Sequence, residues 1–471
     1  MLKDLISDRY KKLKNYQKFF NPYPARSFGF NKKTLTNRRQ MLKEIKKNFS
    51  RFLNSKKLFL VAGRILSWRD QGKIIFSDLI DESDTLQLVF QSEKTKNFDL
   101  LKNTFDRGDI LEAEGYLYKT KRGEKSLLVL KSQLLAKSLR PWPSAWFGLE
   151  NIEERYRRRY LDFFFHPETK EKLIKRSKII SELRSLLKKE GFLEVETPIL
   201  QPLAGGALAR PFETYFYDLK EKRYLRVAPE LYLKRLLVGG FEKIFEIGKD
   251  FRNEGIDREH HPEFTMMELY VAYCDYLALM KMVRHWLLTL IKRLGLKKII
   301  FDGQEIKFFA PWPSLLYENL IKKHSKKPLA KLQAEEMDEI FKKEIRPKII
   351  QPSFVIHLPK SLSPLSKSLE NNPQLTERFQ LIVAGMELVN GFSELNDPQE
   401  QRRRLEEQEK KYRAGNLEAS RLDENFLEAL EYGMPPAAGL GLGIDRLVAL
   451  LTNSHSIREV MAFPSLREKD L

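Results

Sequence analysis

A charged loop between two apolar runs, KDFRNEGIDREHHPEF at residues 249–264, contains side chains that could bind a polyanion. It holds eight charged residues, two histidines, a glycine and a proline. The apolar runs on either side are typical of strands, so Arg252 and Phe264 stand near the two ends of the connection. A solvated turn is one interpretation of this composition. The other is a loop that closes over a ligand carrying phosphates, because arginine binds phosphate oxygens strongly.

Two strand-like runs carry carboxylates among apolar residues. Side chains alternate between the faces of a strand, so every second residue shares a surface. The residues that share one face are Phe264, Glu268 and Tyr270 in FTMMELYVAY and Asn390, Phe392 and Glu394 in GMELVNGFSEL, where Glu387 precedes them. A carboxylate at the centre of a strand is costly to bury unless it meets a cation. The pattern therefore predicts acids that face a cation, and Arg252 stands close to the first of them.

A glycine-rich segment, AGLGLGIDRL at 438–447, leads into a helix with Arg446 in its first turn. Glycines allow the backbone to approach a ligand closely, and the N-terminus of a helix favours anions. A simple turn explains the glycines equally well. The segment lacks the lysine of a P-loop and does not fit the dinucleotide-binding fingerprint of a parallel βαβ unit.

Composition excludes several classes of protein. The chain has 471 residues, of which 42% are apolar and 11% aromatic, so it can bury more than one core. No apolar stretch approaches the roughly 18 residues of a membrane span, and we expect no membrane partner. The single cysteine, Cys274, excludes an intramolecular disulfide and a multi-cysteine zinc site. A cytoplasmic location is the expectation.

Positive charge is concentrated at the start of the chain. Residues 1–60 carry 17 Lys or Arg against Asp4, Asp8 and Glu44, a balance of +14, which leaves only +6 of the total +20 for the other 411 residues. Basic segments bind nucleic acids because each neutralised phosphate releases counterions. A solvated, solubilising helix is the alternative, and the charge favours nucleic acid.

The segment 58–139 has the element order of a five-stranded barrel of the OB type: three β-type runs, a helical piece and two further β-type runs. Such barrels bind oligonucleotides on one exposed face by stacking and phosphate contacts. In TLQLVFQ (85–91), Gln87 points away from the apolar face. The parity of KIIFSDLI places Phe76 either in the core or on the binding surface, and the pattern favours the core.

The whole chain is therefore expected to be an α+β protein of four parts. These are a basic helical N-terminal extension at 1–57, the OB-type barrel at 58–139, a Pro- and Trp-rich linker at 140–165 and a larger domain at 166–471. In the last part, the charged loop joins two antiparallel strands, and helical runs flank the strands. A charged helical segment at 320–345 receives no role from the sequence.

The charged loop, the polar strand and the glycine-rich segment together resemble motifs 1, 2 and 3 of the class II aminoacyl-tRNA synthetases. The similarity is closest to the lysine-specific members and runs almost from end to end. The segments that carry it are GFLEVETPIL (191–200), GGALARPF (205–212), APELYLKR (228–235), FRNEG (251–255), HPEFTMMELY (261–270), NGFSELND (390–397) and GLGIDRL (441–447), with RDQGKIIFSDL (69–79) and TLQL (85–88) in the barrel.

The resemblance implies a class II catalytic domain built on an antiparallel sheet flanked by helices, which activates L-lysine with ATP. The lysine is then transferred to the 3′ end of lysine tRNA by a homodimer joined partly through the motif 1 helix and strand. It also implies that Arg252 and Arg446 are the catalytic residues. The residues implied to bind ATP are Arg252, Glu254, His260, Phe264, Glu387 and Arg446. Those implied to bind lysine are Gly206, Glu230, Arg252, Glu268, Tyr270, Asn390, Phe392 and Glu394.

Two positions depart from the family's pattern. The family binds Mg²⁺ beside ATP with two acids; Glu387 matches one of them, but the other position is Gln380, which is neutral although still an oxygen ligand. His261 stands where the family has asparagine. In the barrel, Phe76 and Gln87 match anticodon-reading positions, and Arg69 and Glu124 are further candidates.

Two rival functions remain at this stage. One is an enzyme of the same scaffold that uses aspartate or asparagine. The acids among the candidate residues argue against it, because an acidic substrate would need cations. The other is an RNA-binding relative without catalytic activity, which only Gln380 and His261 support.

Overall fold

The computed structural model describes residues 2–31, 36–55, 57–143 and 150–468. The chain divides into two compact units, Met1–Gly148 and Leu149–Leu471. The predicted extension and linker include residues 32–35 and 144–149, which lie outside the described residues. The boundaries proposed for the four parts stay a prediction.

The first unit combines a barrel with short helices. Its helices are α1 (Leu2–Gln17), α2 (Leu42–Lys47), α3 (Phe49–Phe52) and α4 (Phe98–Thr104). Its strands are β1 (Phe30–Asn31), β2 (Thr36–Asn37), β3 (Phe59–Asp70), β4 (Ile74–Ile80), β5 (Thr85–Gln91), β6 (Ile110–Lys119) and β7 (Lys125–Ala136).

Strands β3 to β7 close into a barrel in the order β3-β4-β5-β7-β6. Neighbours pair antiparallel except β5 and β7, which are parallel. Helix α4 lies between β5 and β6 in the chain, and the interior is filled by apolar side chains such as Leu79, Leu88 and Val129. This arrangement confirms the OB-type barrel predicted from the sequence.

The preference of the sequence pattern for Phe76 in the barrel core is wrong. Ile75 and Leu79 are fully buried, and Phe76 lies between them on the opposite face of β4 and is only half-buried. Strand β4 has apolar residues at both parities, so alternation alone could not choose the inner face.

The basic N-terminal segment packs on this barrel. Tyr16, Leu42 and Phe49 belong to the barrel's hydrophobic core, and the Tyr16 hydroxyl accepts a hydrogen bond from the Leu134 N–H at 3.0 Å. Arg9 of α1 is buried and donates to the backbone carbonyl of Ser138 at 2.6 Å. The segment is therefore docked on the barrel through its apolar face, and most of its lysines stay exposed.

The second unit is larger. Its helices are α5 (Ile152–Arg157), α6 (Arg159–Phe165), α7 (Pro167–Lys189), α8 (Glu230–Val238), α9 (Tyr276–Arg293), α10 (Tyr317–His324), α11 (Ala334–Ile340), α12 (Pro398–Arg413), α13 (Glu424–Glu431) and α14 (Ile444–Leu451). Its strands are β8 (Leu193–Glu194), β9 (Leu200–Gln201), β10 (Glu213–Phe216), β11 (Glu221–Leu225), β12 (Lys243–Phe251), β13 (Glu263–Ala272), β14 (Ile300–Phe301), β15 (Gln304–Glu305), β16 (Ser314–Leu316), β17 (Ser353–Ile356), β18 (Arg378–Val383), β19 (Met386–Ser393) and β20 (Ala437–Gly443).

An eight-stranded sheet in the order β16-β17-β18-β19-β20-β13-β12-β8 forms the centre of this unit. Its inner pairs are antiparallel, and both edge pairs, β16 with β17 and β8 with β12, are parallel. Met267, Leu269 and Val271 of β13 face a core formed with α7, α9 and α14. The alternate residues of β13 therefore face the other side of the sheet, where the candidate site lies.

The second half of the predicted linker forms the helices α5 and α6 and belongs to the second unit. Arg159 of α6 is buried and donates to Asp162 at 2.6 Å and to the Glu459 carbonyl at 2.8 Å. These bonds join α6 to the C-terminal part of the unit. The linker-like composition is thus limited to the Pro- and Trp-rich residues before 150.

The charged segment predicted at 320–345 forms a helical excursion between β16 and β17. After α10 and α11 it continues as a π-helical turn, Phe341–Ile345, and a 3₁₀ turn, Arg346–Lys348. The excursion has its own small apolar core, which includes Tyr317 and Phe341. Turns of the π-helical type are rare and are often found at functional sites.

Candidate active site

A cavity of about 520 Å³ opens on the face of the sheet away from α7 and α9, and the first turn of α14 reaches its wall. Its wall brings together most residues that the sequence singled out in the larger domain. These are Gly206, Glu230, Arg252, Glu254, His260, Phe264, Glu268, Tyr270, Gln380, Glu387, Asn390, Phe392 and Arg446. Alternation explains the convergence on β13 and at Asn390 and Phe392 of β19, since every second residue of a strand shares one face. Glu387 has the other parity and joins them because the pairing of β18 with β19 shifts register beside it.

A cationic group forms around the charged loop. The Arg252 guanidinium lies over the Phe264 ring, 5.1 Å from its centroid, and its buried Nε has no hydrogen-bond partner among the described residues. Arg446 donates from Nη1 to the Glu387 carbonyl at 2.8 Å. Burial lowers the pKa of Arg446, and Arg346 and Arg252 add to this effect against the opposing charges of Glu387 and Glu259. Several guanidinium groups are thus held close together, an arrangement that suits a polyanion.

The two histidines of the loop have different environments. His260 Nδ1 lies 2.8 Å from Asp257 Oδ2, and its Nε2 lies 3.4 Å from Arg446 Nη2 at the cavity. His261 is buried; its Nε2 accepts from the Ser465 N–H at 2.8 Å and its Nδ1 lies 2.6 Å from the Glu263 carbonyl. His261 therefore holds the end of the loop to the C-terminal segment.

An acidic group forms around α8. The Lys234 ammonium lies 2.6 Å from Glu230 and 2.5 Å from Glu394, and both carboxylates are buried with it. Burial raises the pKa of Glu394 to about 8 against the opposing effect of Lys234, and burial also raises the pKa of Glu230. Glu394 lies behind the cavity wall, beside Gly439. Lys234 was not predicted from the sequence, although its i, i+4 spacing from Glu230 on a helix was a usable signal.

Glu268 and Tyr270 form a second pair in the acidic group. The Tyr270 hydroxyl donates to Glu268 Oε2 at 3.2 Å. Burial, with Asp250 and Glu230 nearby, raises the pKa of Glu268 well above its usual value. Gly206 lies beside Glu230 with φ +90°, and a Cβ there would lie 3.0 Å from the Glu230 Cβ, so only glycine fits this position without strain.

Asn390 is oriented by an arginine that the sequence analysis also missed. The Arg378 Nε donates to Asn390 Oδ1 at 2.8 Å, and its Nη1 donates to the Leu362 carbonyl at 2.7 Å and to Ser363 Oγ at 2.9 Å. Asn390 and Gln380 pair across β18 and β19. No local sequence pattern marks Arg378, because its partners come from two segments that are separate from it in the chain.

Gln380 and Glu387 stand side by side at the cavity. Gln380 Nε2 donates to Glu387 Oε2 at 2.7 Å. The other amide atom, Gln380 Oε1, is buried and has no hydrogen-bond partner among the described residues. Within the same described part of the chain, no group of three or more His, Cys, Asp or Glu is placed to hold a metal ion.

The helical excursion also reaches the cavity, through Asp338, Lys342 and Arg346. The sequence assigned this segment no role, since its charges have the spacing of an ordinary solvated helix. Contact with the cavity depends on how the segment returns to the sheet, which is not encoded in a local pattern.

The candidate anticodon residues lie on the barrel. Arg69 pairs with Phe76 across β3 and β4, and Asp78 pairs with Gln87 across β4 and β5, so these side chains share one outer face. Arg69 Nη2 lies 3.1 Å from Asp78 Oδ2, and Gln87 Oε1 accepts from Ser126 Oγ at 2.9 Å. Glu124 is exposed in the turn before β7.

Comparison with known proteins agrees with this geometry. The family described as tRNA synthetases class II (D, K and N) matches residues 151–467. The OB-fold nucleic acid binding domain family matches residues 59–135. The chain belongs to the class II tRNA synthetases, and its activity is that of an aminoacyl-tRNA ligase. Among the described residues, no helix is long and apolar enough to cross a membrane.

Individual relatives show which members of this family the chain is similar to. The lysine–tRNA ligase of Fervidobacterium nodosum is 43% identical over 99% of this chain and 95% of the relative. That of Roseiflexus sp. is 43% identical over 100% of both chains, and that of Moorella thermoacetica is 45% identical over 87% of this chain and 89% of the relative. The chain is a member of the lysine–tRNA ligase family, which confirms the resemblance of its motifs.

Proposed function

We propose that the chain activates L-lysine with ATP to lysyl-adenylate and pyrophosphate and transfers lysine to the 3′ end of lysine tRNA. The observation that supports this best is the acidic group: Glu230 and Glu268 are buried in the wall of one cavity, and Glu394 is buried behind that wall beside Gly439. An ammonium group needs acids around it, whereas an aspartate substrate would need cations.

The test is exchange of labelled pyrophosphate into ATP with lysine, aspartate or asparagine as the only amino acid. Exchange with lysine alone is expected. Exchange with aspartate or asparagine would overturn the assignment of substrate. Normal tRNA binding without exchange in ample magnesium would favour the RNA-binding alternative.

Activation is in-line attack of a lysine carboxylate oxygen on the α-phosphorus, with pyrophosphate as the leaving group. Both reactants are anionic, so positioning and charge neutralisation supply most of the catalysis. In this proposal Arg252 binds the α-phosphate and the lysine carboxylate, and Arg446 binds the γ-phosphate and covers the adenine. Phe264 stacks on the other face of the adenine. Glu254 contacts the adenine and His260 the phosphate tail.

The acidic group holds the two ammonium groups of the substrate in this proposal. Glu230 binds the α-amino group, and Glu394 with Tyr270 binds the ε-ammonium. Glu268, Asn390 and Phe392 complete the wall. The buried acids are then balanced by two positive charges, the Lys234 ammonium and the ε-ammonium of the substrate.

Mg²⁺ is the proposed cofactor, and the residues present fit an ion shared with ATP. Glu387 offers a carboxylate and Gln380 an unpartnered buried oxygen, Oε1, and both are oxygen ligands of the kind Mg²⁺ takes. The bound ion would neutralise charge on the phosphates. With one carboxylate in place of two, the protein supplies less charge for the ion, so its binding depends more on ATP.

Gln380→Glu is expected to strengthen metal binding. A second carboxylate beside Glu387 adds charge to the ligand set, and two carboxylates so close repel each other unless a cation lies between them. The variant should have a lower Tm without metal and a larger rise in Tm on addition of Mn²⁺ or Mg²⁺ than the parent chain. Gln374→Glu, an exposed position, is the matched control. Equal metal-induced shifts in the two variants would contradict the assignment.

The barrel is the proposed reader of the anticodon, with Phe76 as a stacking platform and Arg69, Gln87 and Glu124 as polar contacts. Phe76→Ala is expected to weaken binding of lysine tRNA by about 1–3 kcal/mol, because stacking on one base is lost. Phe76→Tyr retains a ring and should bind normally. Pyrophosphate exchange without tRNA should stay unchanged in both variants. If Phe76→Ala bound lysine tRNA as tightly as the parent chain, the anticodon would not stack on Phe76.

We also propose a homodimer joined partly through α7 and β8. Apolar side chains are exposed close to this edge of the sheet: Leu193 is 49% exposed, Ile199 44% and Leu200 43%. Exposed apolar patches mark interaction sites more often than free surface. A monomer in analytical ultracentrifugation would contradict this proposal.

A further inference from the structure

Arg346 is a cavity-lining arginine with no role in the proposed function. It begins the 3₁₀ turn that follows the π-helical turn of the excursion. Its side chain is only 14% exposed. The excursion therefore places a further guanidinium on a cavity that also contains Arg252, Arg378 and Arg446.

The backbone after Arg346 is fixed to the sheet. The Ala384 N–H donates to the Ile350 carbonyl at 2.8 Å and the Gly385 N–H to the Ile349 carbonyl at 2.9 Å. A Cβ at Gly385 would lie 3.1 Å from the Cα of Pro347. These contacts join the turn to the β18–β19 hairpin, which carries Gln380 and Glu387. Arg346 is thus positioned by the same hairpin as the proposed metal ligands.

The Arg346 guanidinium is incompletely satisfied. Its Nη2 lies 3.4 Å from Glu259 Oε2, a long contact for a charged pair. Its Nε is buried and has no hydrogen-bond partner within the described part of the chain. An arginine has five N–H donors in a rigid fork that matches phosphate oxygens. The side chain therefore retains donors for a ligand.

The residues next to Arg346 indicate which ligand its guanidinium could bind. Arg446 Nη2 lies 3.5 Å from the Glu259 carbonyl and 3.4 Å from His260 Nε2. Glu259 thus contacts both arginines, Arg346 through its carboxylate and Arg446 through its backbone carbonyl. A ligand group that meets Arg446 and His260 comes close to Arg346 as well.

We propose that Arg346 binds the terminal phosphates of ATP, and that Glu259 holds its guanidinium when no nucleotide is present. This proposal rests on the proposed function in that ATP is taken as the substrate. The tail of ATP is strongly anionic, and a charge-assisted bond from a third arginine strengthens its binding. Since the guanidinium comes from the excursion, ATP also links that segment to the charged loop.

The alternative is a purely structural bridge, in which Arg346 holds the charged loop through Glu259. Arg346→Ala and Glu259→Gln separate the two roles, because each breaks the bridge and only the first removes the phosphate contact. Arg346→Ala should raise the Kd of ATP about tenfold, the loss of one hydrogen bond to a charged group. Glu259→Gln should bind ATP as tightly as the parent chain or more tightly.

Calorimetric titration of the full chain with ATP and with AMP, at fixed Mg²⁺, is the direct measurement. AMP lacks the terminal phosphates, so its Kd should be unchanged in Arg346→Ala. In steady state, the KM of ATP should rise while the KM of lysine stays constant. Lys343→Ala, an exposed change in the adjacent turn with 71% of its side chain accessible, is the control. Equal losses in Arg346→Ala and Glu259→Gln, or equal losses for ATP and AMP, would overturn the proposal.

The role of Arg346 and the proposed function can fail independently of each other. If ATP binds and Arg346→Ala distinguishes it from AMP while lysine supports no exchange, the proposed function fails and Arg346 keeps its role. If lysine-dependent exchange is normal and Arg346→Ala leaves the Kd of ATP unchanged, only the role of Arg346 fails.

Discussion

Arg252→Ala is expected to lower the kcat/KM of lysine-dependent pyrophosphate exchange by about 10²–10³-fold, the cost of removing a preorganised group that stabilises transition-state charge. Arg252 stands where the first strand of the motif 2 pair ends, and its guanidinium lies 5.1 Å from the centroid of the Phe264 ring. Its buried Nε has no partner among the described residues. The donor is therefore held close to the proposed adenine platform and available to an α-phosphate.

Arg258→Ala in the same loop is the matched control for this result. Arg258 is half exposed and lies 3.6 Å from Asp302, so its loss should change exchange little. Binding of tRNA to the barrel should survive in Arg252→Ala. If the kcat/KM of exchange by Arg252→Ala stayed within tenfold of the parent chain, Arg252 would not be a catalytic residue.

Glu394→Gln is expected to raise the KM of lysine about 100-fold and to leave the KM of ATP nearly constant. The change keeps the size of the side chain and removes the charge that we propose for the ε-ammonium; truncating one partner of a buried charged pair costs about 2–5 kcal/mol. Glu424→Gln, on the exposed face of α13 with a side chain 62% accessible, should behave as the parent chain.

The pH dependence gives a second readout for Glu394. Burial raises the pKa of its carboxyl to about 8, so the ligand-free protein carries a proton there below that pH. An ammonium favours the ionised form, and the KM of lysine should therefore fall as the pH rises from about 6.5 to about 8.5. Glu394→Gln removes this titration and should show a weaker dependence on pH over this range. A parallel pH profile in both forms would assign the dependence to another group.

The sequence predicted the cavity residues that lie on the strands better than those that are positioned by contacts between distant segments. Strand periodicity placed Glu268 and Tyr270 on one face of β13, because one face of that strand is needed for the core and the other is left for a ligand. It failed for Phe76, since β4 is apolar at both parities. Arg378 and Arg346 were beyond prediction from sequence, because each gains its position from contacts between segments distant in the chain.

The glycine-rich segment was identified correctly as a family motif, but the structure that its glycines form was only partly predicted. Its glycines suggested close approach of backbone to an anion, with Arg446 in the following helix. In the structure they belong to strand β20, and α14 begins only at Ile444. The resemblance identified the segment correctly, while the local pattern could not reveal that its glycines pair with the centres of β13 and β19.

Those glycines limit how the site can evolve. A Cβ at Gly439 would lie 2.5 Å from Glu394 Oε1, and a Cβ at Gly441 would lie 2.8 Å from the Met266 Cε. A side chain at Gly439 would displace Glu394 and Tyr270, which we propose for the substrate, and one at Gly441 would displace Met266 of the cavity wall. A shift to another amino acid could not proceed by small steps along β20, because even alanine disturbs it. New specificity would have to arise on the facing elements, α8 and β19, while the glycine wall stays unchanged.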